Sequence, residues 1–410
     1  MLFKHQQQVI ADNLVKTGLF FGTGSCKTRT ALELAQEKIL VIAPKMQVED
    51  KNWQRENKKW NINKDLTVIS KETFRRDHIK LPFYQTVIID EAHTVLGVTP
   101  NTRQRNKIII PRTSQLFEAV GDYIKRTRPL RFYLVTATPA KSPMAVWGVA
   151  KLFGKNWDFY KFREIFYIRL PMAGREVWTA KRDTESKQRL GQAVRGLGYT
   201  GKLSDYFDVP PQTFKNIHIT LTLEQQKRIK ELKTEYPDPI VQIGKIHQVE
   251  NGVLTGDEFT KPQIFKNEKE TQILEYAMEF PQMIIFCKYT LQIERLALAL
   301  KEYPVFTLTG DTKKRGDLMD KLKTSDSYIL IVQSQISSGW ELPECPVIIW
   351  ASMSYSFVDK VQSEGRILRA NNLKKNLYIA LTVKGGTDEA VYSCLENKQD
   401  FHEHIYAQRI

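Results

Sequence analysis

The sequence predicts an α/β protein with two tandem domains, each built around a doubly wound parallel sheet. Three observations favour this fold class. The chain has 410 residues, which is more than one ordinary hydrophobic core accommodates. Short apolar runs rich in β-branched residues recur along it, and each run ends at a polar cluster. Apolar residues at helical spacing fill the intervals between these runs.

The first domain is expected over residues 1–215. A helix is predicted near the start, and five apolar runs predict strands at 18–21, 39–43, 66–69, 87–90 and 132–135. Residues 143–212 interleave aromatic with basic residues and then contain several glycines, which predicts a mainly helical insertion. Aromatic residues of this kind can stack on single-stranded nucleic acid, but packing in a core is the commoner role and the one we expect.

The second domain is expected over residues 216–410. Five further apolar runs predict buried strands, at 283–287, 305–309, 328–332, 347–350 and 377–383. A linker or insertion is expected at about 236–270. The two halves share this architecture but no obvious repeated sequence.

Composition excludes several classes of protein. Apolar residues make up 42% of the chain and charged residues 26%, as in soluble globular proteins. No apolar run is long enough to span a membrane, and the N-terminus lacks the layout of a signal peptide. The four cysteines form no CxxC pair, which indicates reduced thiols instead of disulfides or zinc ligands. We therefore expect an intracellular, cytoplasmic protein, located in the host cytoplasm if it is viral.

The charge balance indicates the kind of partner. Lysine and arginine number 61 against 46 acidic residues, which gives a net charge of +15. This excess favours a polyanion, most simply nucleic acid. A basic proteome or general solubility is the alternative explanation. No long block of one sign appears, so the charge is expected over a folded face and not in a tail.

One buried strand is predicted to end at two adjacent carboxylates. The apolar run 87–89 stops at Asp90 and Glu91, which are followed by Ala92 and His93. In open α/β sheets, ligands bind outside the carboxyl ends of the strands. Adjacent acids there repel each other unless a cation compensates them, and Mg²⁺ bound together with phosphates is the usual solution. The alternative is a solvated acidic turn.

A glycine-containing loop follows the first predicted strand and precedes a helix. Its residues are Gly22, Thr23, Gly24, Ser25, Cys26, Lys27 and Thr28. This arrangement is typical of a phosphate-binding loop, in which backbone N–H groups cradle the phosphate oxygens of ATP. Lys27 would reach the β and γ phosphates, and the Thr28 hydroxyl would bind Mg²⁺. In the GxxxxGK[ST] pattern the two glycines fall on Phe21 and Cys26, so a plain glycine turn is the alternative.

Further short motifs occur in a recognisable order. They are Lys4-His5-Gln6, Asn52-Trp53 with Glu56 after Pro44, SKETF at 70–74, TATP at 136–139, VPPQ at 209–212, LTLEQQ at 221–226, LTGDT at 308–312 with Arg315, and QSEGRILR at 362–369. With the glycine loop and the sequence DEAH at 90–93, this set resembles the superfamily-two helicases over nearly the whole chain. It is most similar to their Swi/Snf-type (DEAH-box-containing) branch, in the short form carried by bacteriophages. The resemblance implies two RecA-like domains with ATP in the cleft between them, and a Gln6 side chain that reads the adenine edge.

Phosphoryl transfer to water requires a metal, an oriented water and positive charge on the developing oxyanions. Asp90 would hold Mg²⁺, and Glu91 would orient and deprotonate the attacking water. Arg366 and Arg369 are predicted to lie on one helix face. They suit the role of arginine fingers, because a guanidinium group binds phosphate bidentately. A surface ion pair is the alternative for these arginines. Gln362 would sense the γ-phosphate.

Nucleic acid is expected to cross both domains opposite the ATP cleft. The candidate contacts are Lys45, Lys71 and Thr138 in the first domain and Lys288, Thr309, Ser334 and Ser338 in the second. These residues would touch phosphates without reading the base sequence. Each of them, taken alone, could equally be an ordinary loop residue.

The expected function is that of an ATP-dependent DNA helicase or a double-stranded DNA translocase. An RNA helicase of a neighbouring branch is one alternative. The other is a nucleic-acid clamp that binds ATP with little hydrolysis, because Cys26 replaces the family glycine before Lys27. Glu341 stands where the Swi/Snf branch usually has asparagine, and residues 174–201 match the family poorly. The sequence gives no indication of a protein partner.

Overall fold

The computed structural model describes residues 2–105, 108–172, 175–256, 260–337, 339–370, 373–398 and 400–401. The chain divides into two compact units, Met1–Phe207 and Asp208–Ile410. The domain boundary expected after residue 215 instead falls inside a strand of the second unit, Thr213–Ile219.

The first unit alternates strands and helices. The strands are β1 (Lys16–Phe21), β2 (Lys38–Ala43), β3 (Asp65–Ser70), β4 (Thr86–Asp90), β5 (Val98–Arg105), β6 (Ile108–Thr113), β7 (Arg131–Val135), β8 (Tyr167–Met172), β9 (Arg175–Ala180) and β10 (Gly198–Gly201). The helices are α1 (Lys4–Asp12), α2 (Lys27–Leu34), α3 (Lys45–Glu49), α4 (Asn52–Lys59), α5 (Lys71–Asp77), α6 (Gln115–Thr127), α7 (Pro143–Leu152), α8 (Phe159–Phe166) and α9 (Thr184–Arg195).

The main sheet of the first unit has the strand order β10-β1-β7-β4-β2-β3. All of its pairings are parallel. Its central strands are buried on both faces: in β2, Leu40 and Ile42 pack in one apolar cluster, and Ile39 and Val41 pack in another. Two antiparallel hairpins, β5–β6 and β8–β9, pair outside this sheet. The five strands predicted from apolar runs are confirmed.

The segment 143–212 contains the predicted helices, α7 to α9. Trp147, Phe159 and Phe162 in it are buried, so the core role expected for the aromatic residues is confirmed for these three. The end of the segment differs from the expectation, because β10 pairs with β1 as the edge strand of the main sheet. A Cβ added to Gly198 would lie 2.3 Å from the carbonyl oxygen of Gly18. The close approach of the two strands therefore requires glycine at this position.

The second unit is built in the same way. Its strands are β11 (Thr213–Ile219), β12 (Val253–Leu254), β13 (Gln263–Ile264), β14 (Gln282–Cys287), β15 (Val305–Leu308), β16 (Tyr328–Gln333), β17 (Val347–Trp350) and β18 (Leu377–Val383). Its helices are α10 (Leu223–Glu235), α11 (Pro239–Glu250), α12 (Glu268–Glu279), α13 (Thr290–Ala299), α14 (Arg315–Lys323), α15 (Phe357–Glu364) and α16 (Thr387–Glu396).

The main sheet of the second unit has the order β11-β18-β17-β14-β16-β15. All of its pairings are parallel. The residues 283–286 in β14 are fully buried, as expected for a strand covered on both faces. The expected insertion at 236–270 contains α11 and the short antiparallel pair β12–β13. The predicted fold class, two tandem doubly wound parallel-sheet domains with added helices, is confirmed.

The helices are short, and the longest described ones, α6 and α10, have 13 residues. Several begin at a side chain that accepts a hydrogen bond from the first turn: Ser70 accepts one from Thr73 N, and Ser114 accepts one from Phe117 N. These caps fix where the helices start after each strand or loop. Within the described ranges, no helix combines the length and the hydropathy needed to cross a membrane.

Candidate functional site

The glycine loop connects β1 to α2 over residues 22–26. Two of its residues have positive φ angles, Gly24 at 77° and Cys26 at 55°. Cys26 is the residue immediately before α2 and has a left-handed backbone conformation. This conformation lets the chain turn sharply out of β1 and directly into the helix, so the N-terminus of α2 opens on the loop. Such a helix start offers backbone N–H groups to an anion.

Lys27 lies over the loop that precedes it. Its ammonium group donates a hydrogen bond to the carbonyl oxygen of Gly22, at 2.8 Å. Thr28 follows on the first turn of α2, and both side chains are half-buried. The charge of Lys27 also acts on Glu91, whose pKa it lowers. The loop lysine and the strand-end acid are thus close enough to interact electrostatically.

Gln6 makes hydrogen bonds to the end of this loop and to α2. It is fully buried, and its amide nitrogen donates to Thr30 Oγ1 at 3.1 Å and to Cys26 O at 3.4 Å. Its amide oxygen accepts from Phe3 N at 3.0 Å. The neighbouring His5 places Nε2 3.2 Å from Ser25 O. Both ends of the Gln6 amide are therefore engaged within the protein, and the predicted contact with adenine stays a prediction.

Asp90 is the last residue of β4 and is 6% exposed. Its Oδ2 accepts a hydrogen bond from the Trp53 indole at 3.1 Å, and its Oδ1 accepts one from Glu91 N at 2.8 Å. Burial raises the pKa of Asp90, and the nearby Glu91 charge raises it further. A cation beside this carboxylate would relieve both effects.

Glu91 leaves the strand in a left-handed backbone conformation, with φ at 44° and ψ at 53°. Burial raises the pKa of its carboxyl group, but a hydrogen bond from His93 and the charges of Lys27 and Lys71 outweigh burial and lower it. Glu91 is therefore ionised at neutral pH, which is the state that a general base requires.

The acid pair is also joined to the neighbouring strand β7. His93 Nδ1 lies 3.3 Å from Glu91 Oε2 and 3.0 Å from Thr136 Oγ1. The same hydroxyl accepts a hydrogen bond from Thr138 N at 3.1 Å. Thr138, a predicted nucleic-acid contact, is half-buried. The loop after β7 and the acids at the end of β4 thus form one hydrogen-bonded unit.

Two predicted nucleic-acid lysines differ in their surroundings. Lys45 and Lys71 each begin the helix that follows a strand, β2 and β3 respectively. The Lys45 side chain is exposed, with a loose ion pair of 3.6 Å to Glu49. Lys71 is 6% exposed, and its ammonium group donates to Glu91 O at 2.9 Å and to Thr94 Oγ1. A buried ammonium group does not fit the nucleic-acid contact predicted for Lys71. Burial also lowers the pKa of Lys71 to about 8.

In the second unit, three of the predicted nucleic-acid contacts follow three neighbouring strands. Lys288 comes after β14, and its ammonium nitrogen lies 2.8 Å from the ring centroid of Tyr355. Thr309 follows β15 and is half-buried. Ser334 follows β16 but is only 4% exposed, with its hydroxyl 3.5 Å from Ser352 O, so its side chain does not face solvent. Ser338 lies outside the described residues.

The arginines predicted to share a helix face do not lie on a helix. Helix α15 ends at Glu364, and Gly365 is its C-cap, so Arg366 and Arg369 follow the helix. Arg366 is 6% exposed and donates to Gln362 O at 2.7 Å and to Trp340 O. Arg369 pairs with Glu341, with Nε 2.9 Å from Oε2. The prediction of a common helix face is therefore wrong, because the helix stops at the glycine.

Gln362 is predicted to sense the γ-phosphate. It is 8% exposed, and its Oε1 accepts a hydrogen bond from Ser337 Oγ at 3.5 Å. Its backbone carbonyl accepts the bond from Arg366 described above. Gln362, Arg366 and the loop after β16 are therefore held together inside the second unit.

The comparison with known families identifies part of the second unit. Residues 266–371 match the family described as helicase conserved C-terminal domain. This range contains the predicted second-unit residues Lys288, Thr309, Ser334, Ser338, Gln362, Arg366 and Arg369. The matched range lies wholly within the second unit.

One solved structure is similar over the full length of the chain, the SWI2/SNF2 ATPase core of Sulfolobus solfataricus in complex with dsDNA. The two share 17% sequence identity with a TM-score of 0.41, and the similarity covers 100% of this chain and 93% of that chain. The search of curated proteins found no match.

The candidate metal ligands suit a metal ion that binds together with a nucleotide. In the described part of the chain, no group of three or more histidine, cysteine or acidic side chains could hold a metal ion. Mg²⁺ normally uses one or two protein ligands together with phosphate oxygens and water. The buried carboxylate of Asp90 and the Thr28 hydroxyl would provide such a small set.

Several contacts of the site were not predicted. They involve Trp53, which donates to Asp90, and His93 and Thr136, which link β4 to β7. Each of these residues belongs to a motif named above, so the motifs did contain a signal. The spacing of the motifs does not indicate which of these side chains contact each other, because those contacts depend on the order of the strands in the sheet.

Proposed function

We propose that this protein is an ATP-dependent DNA helicase or double-stranded DNA translocase of superfamily two, similar to the Swi/Snf-type branch. The proposal rests on one observation. A loop of the phosphate-binding type and two acids at a strand end belong to the same parallel sheet. The loop follows β1 and the acids end β4, with only β7 between these strands. The electrostatic effect of Lys27 on Glu91 supports a common site. The helicase C-terminal match at 266–371 supports the second half of the motor.

ATP would bind with its phosphates at the N-terminus of α2. The backbone of Gly22, Thr23, Gly24, Ser25 and Cys26 would line the phosphates. Lys27 would leave the carbonyl oxygen of Gly22 and pair with phosphate oxygens instead. Thr28 and Asp90 would hold Mg²⁺, which supplies positive charge to the phosphoryl oxygens when bound.

Glu91 would act on the attacking water. Its lowered pKa keeps it ionised, so it can accept a hydrogen bond from water and orient it. Because it is also held by His93, which contacts Thr136, its position depends on the loop after β7. That loop contains Thr138, a proposed DNA contact. This chain of contacts offers a direct route by which bound DNA could influence hydrolysis.

The second unit would complete the site. Arg366 and Arg369 would neutralise charge that develops on the phosphoryl group, and Gln362 would respond to the γ-phosphate. Arg369 is paired with Glu341, so a phosphate would replace Glu341 as its partner. Because the residues come from two units, we propose that hydrolysis requires residues of both units.

DNA would be bound through its phosphates. The net charge of +15 supports a polyanionic partner, and the exposed Lys45 with Lys288, Thr309 and Thr138 are the proposed contacts. An RNA helicase would use the same motor, and the polymer that stimulates hydrolysis distinguishes the two. A clamp without turnover is the other alternative, and it would follow from an impaired phosphate loop at Cys26.

The proposal is tested with Glu91→Gln and Lys27→Ala. Glu91→Gln keeps the shape of the side chain but removes the base, so we expect kcat for ATP hydrolysis to fall by about 10²–10⁴. ATP binding by this variant should persist. Lys27→Ala should lose both ATP affinity and hydrolysis, since it removes the phosphate contact.

Steady-state hydrolysis with DNA present, together with nucleotide binding by equilibrium titration, provides both readouts. Glu37→Gln, an acid exposed at the protein surface, is the matched control and should behave as the parent. Full hydrolysis by Glu91→Gln would contradict the assignment.

A further inference from the structure

Lys71 is the charged residue of the first unit whose surroundings differ most from its predicted role. It begins α5, directly after the last residue of β3. Its ammonium group is buried and donates to the backbone carbonyl of Glu91 at 2.9 Å and to the Thr94 hydroxyl. The Thr94 hydroxyl donates to the same Glu91 carbonyl at 2.9 Å. Lys71, Thr94 and the Glu91 carbonyl therefore form one closed set of hydrogen bonds.

The backbone held by this set is strained. Glu91 has a φ of 44°, in the left-handed region that a residue with a Cβ rarely adopts. Such a conformation persists only where the surroundings fix it. The bond from Lys71 fixes the carbonyl that follows the Glu91 Cα, so it controls the direction in which the chain leaves β4. The side chain that carries the Glu91 carboxyl group leaves from that same Cα.

A buried charge at this place also acts on both acids. The charge of Lys71 favours the ionised form of Asp90 and of Glu91. Trp53 fixes Asp90 from another side through its indole N–H. The two acids are therefore held by residues that follow the adjacent strands β2 and β3 in the chain.

Lys45 provides an internal comparison. It occupies the equivalent position after β2, yet its side chain is exposed and its ion pair with Glu49 is at the surface. The first residue of the helix after a strand can therefore face solvent, as Lys45 does. Lys71 is buried instead. The difference is the presence of the Glu91 carbonyl and the Thr94 hydroxyl within reach of Lys71.

We propose that Lys71 is a positioning residue for Glu91 and not a nucleic-acid contact. This inference rests on the proposed function, since it assigns Lys71 to the hydrolysis reaction through the backbone of its general base. Lys71 touches neither ATP nor DNA in this proposal. It sets the turn that presents the Glu91 carboxylate to water.

The test separates kcat from DNA binding in the full-length chain. Lys71→Met removes the ammonium group but keeps a long apolar stem. We expect kcat at saturating DNA to fall by about 10- to 100-fold, as is typical when a residue supporting an active-site group is lost. The DNA concentration for half-maximal stimulation and its salt dependence should not change. Lys71→Arg, which can still donate to the Glu91 carbonyl, should recover part of the lost kcat.

A lost DNA contact would give the opposite pattern. Half-maximal stimulation would then need more DNA, the slope of log affinity against log salt would fall by about 1, and kcat at saturation would be retained. Lys45→Met, in a residue proposed to touch DNA, is the reference for this second pattern. Arg75→Met, in an exposed residue of the same helix α5, should behave as the parent. Retained kcat in Lys71→Met would overturn the inference.

A second variant keeps the inference testable if Lys71→Met does not fold, as judged by circular dichroism. Thr94 is exposed, so Thr94→Val removes one partner of Lys71 without disturbing the core. It should lower kcat by about threefold with DNA binding unchanged, because the hydroxyl is lost while the direct bond from Lys71 to the Glu91 carbonyl remains. An unchanged kcat would contradict the role of the hydrogen-bonded set. If the parent itself hydrolyses no ATP, the proposed function fails and the role of Lys71 fails with it; if the parent is active, only the Lys71 outcome is at issue.

Discussion

Cys26 has a backbone conformation that favours glycine, with φ at 55° and ψ at 37°. A residue with a Cβ pays roughly 1–2 kcal/mol in this region, while glycine does not. A glycine at this position, as in the GxxxxGK[ST] pattern, would therefore suit the turn into α2 independently of any contact with phosphate.

We expect Cys26→Gly to be more stable to urea than Cys26→Ala, by about 0.5–1 kcal/mol, because only the glycine variant lacks a Cβ. Comparing these two variants removes the contribution of the thiol. The equilibrium midpoints, followed by tryptophan fluorescence, measure the difference. Equal midpoints would show that the strain is relieved in some other way.

The same variants test the clamp alternative. If the parent is a working motor, Cys26→Gly should hydrolyse ATP at a rate within a few-fold of the parent. Hydrolysis that appears only in Cys26→Gly would favour a clamp that binds ATP without turnover.

At the residue scale, the sequence predicts some site members better than others. The position of Asp90 and Glu91 at the end of a strand is predictable, because an apolar β-branched run that stops at charged residues is typical of a buried strand. The burial of Lys71 is not predictable in this way, because its partner is a backbone carbonyl 20 positions further along the chain. A backbone partner leaves no side-chain pattern in the sequence. The same reason applies to Gln6, whose amide bonds to Cys26 O.

At the scale of elements, a buried polar network joins α11, α12 and α16 in the second unit. Lys269 is 1% exposed and donates to Asp388 Oδ2 at 2.7 Å, to Asn251 Oδ1 at 2.6 Å and to Ala351 O at 2.7 Å. Burial raises the pKa of Asp388, but the charges of Lys269 and His247 outweigh it and hold the pKa well below its usual range. The network fixes the expected insertion at 236–270 to the last described helix.

We expect Lys269→Met to destabilise the protein by about 3–5 kcal/mol, because it leaves a buried carboxylate without its main cation. Urea unfolding measures the loss. Lys266→Met, in an exposed lysine three positions earlier, is the control and should change stability by less than about 0.5 kcal/mol. Similar midpoints for the two variants would mean that His247 and Asn251 suffice to hold Asp388.

Elements with strong local signals could be predicted from the sequence, and those set by pairing could not. The five predicted strands of each unit are short, mostly apolar runs. Strand β10 has two glycines among four residues, so only its pairing with β1 makes it a strand. The helix predicted to reach Arg369 ends at Glu364, immediately before Gly365, and glycine has a low helix propensity.

At the scale of the whole molecule, the proposed site draws on residues from both units. Lys27, Asp90 and Glu91 belong to the first unit, and Arg366 and Arg369 belong to the second. Each half is organised within its own unit: the acids by Trp53, Lys71 and His93, and the arginines by Trp340, Gln362 and Glu341. In the proposed motor, neither half hydrolyses ATP without the other.

Steady-state ATP hydrolysis, compared across single-stranded DNA, duplex DNA, branched DNA and RNA at equal nucleotide concentration, tests this account most directly. We predict that DNA raises the rate several-fold, independently of base sequence, that RNA does not, and that Glu91→Gln abolishes the stimulated rate. Hydrolysis that no DNA stimulates, or that RNA alone stimulates, would contradict it.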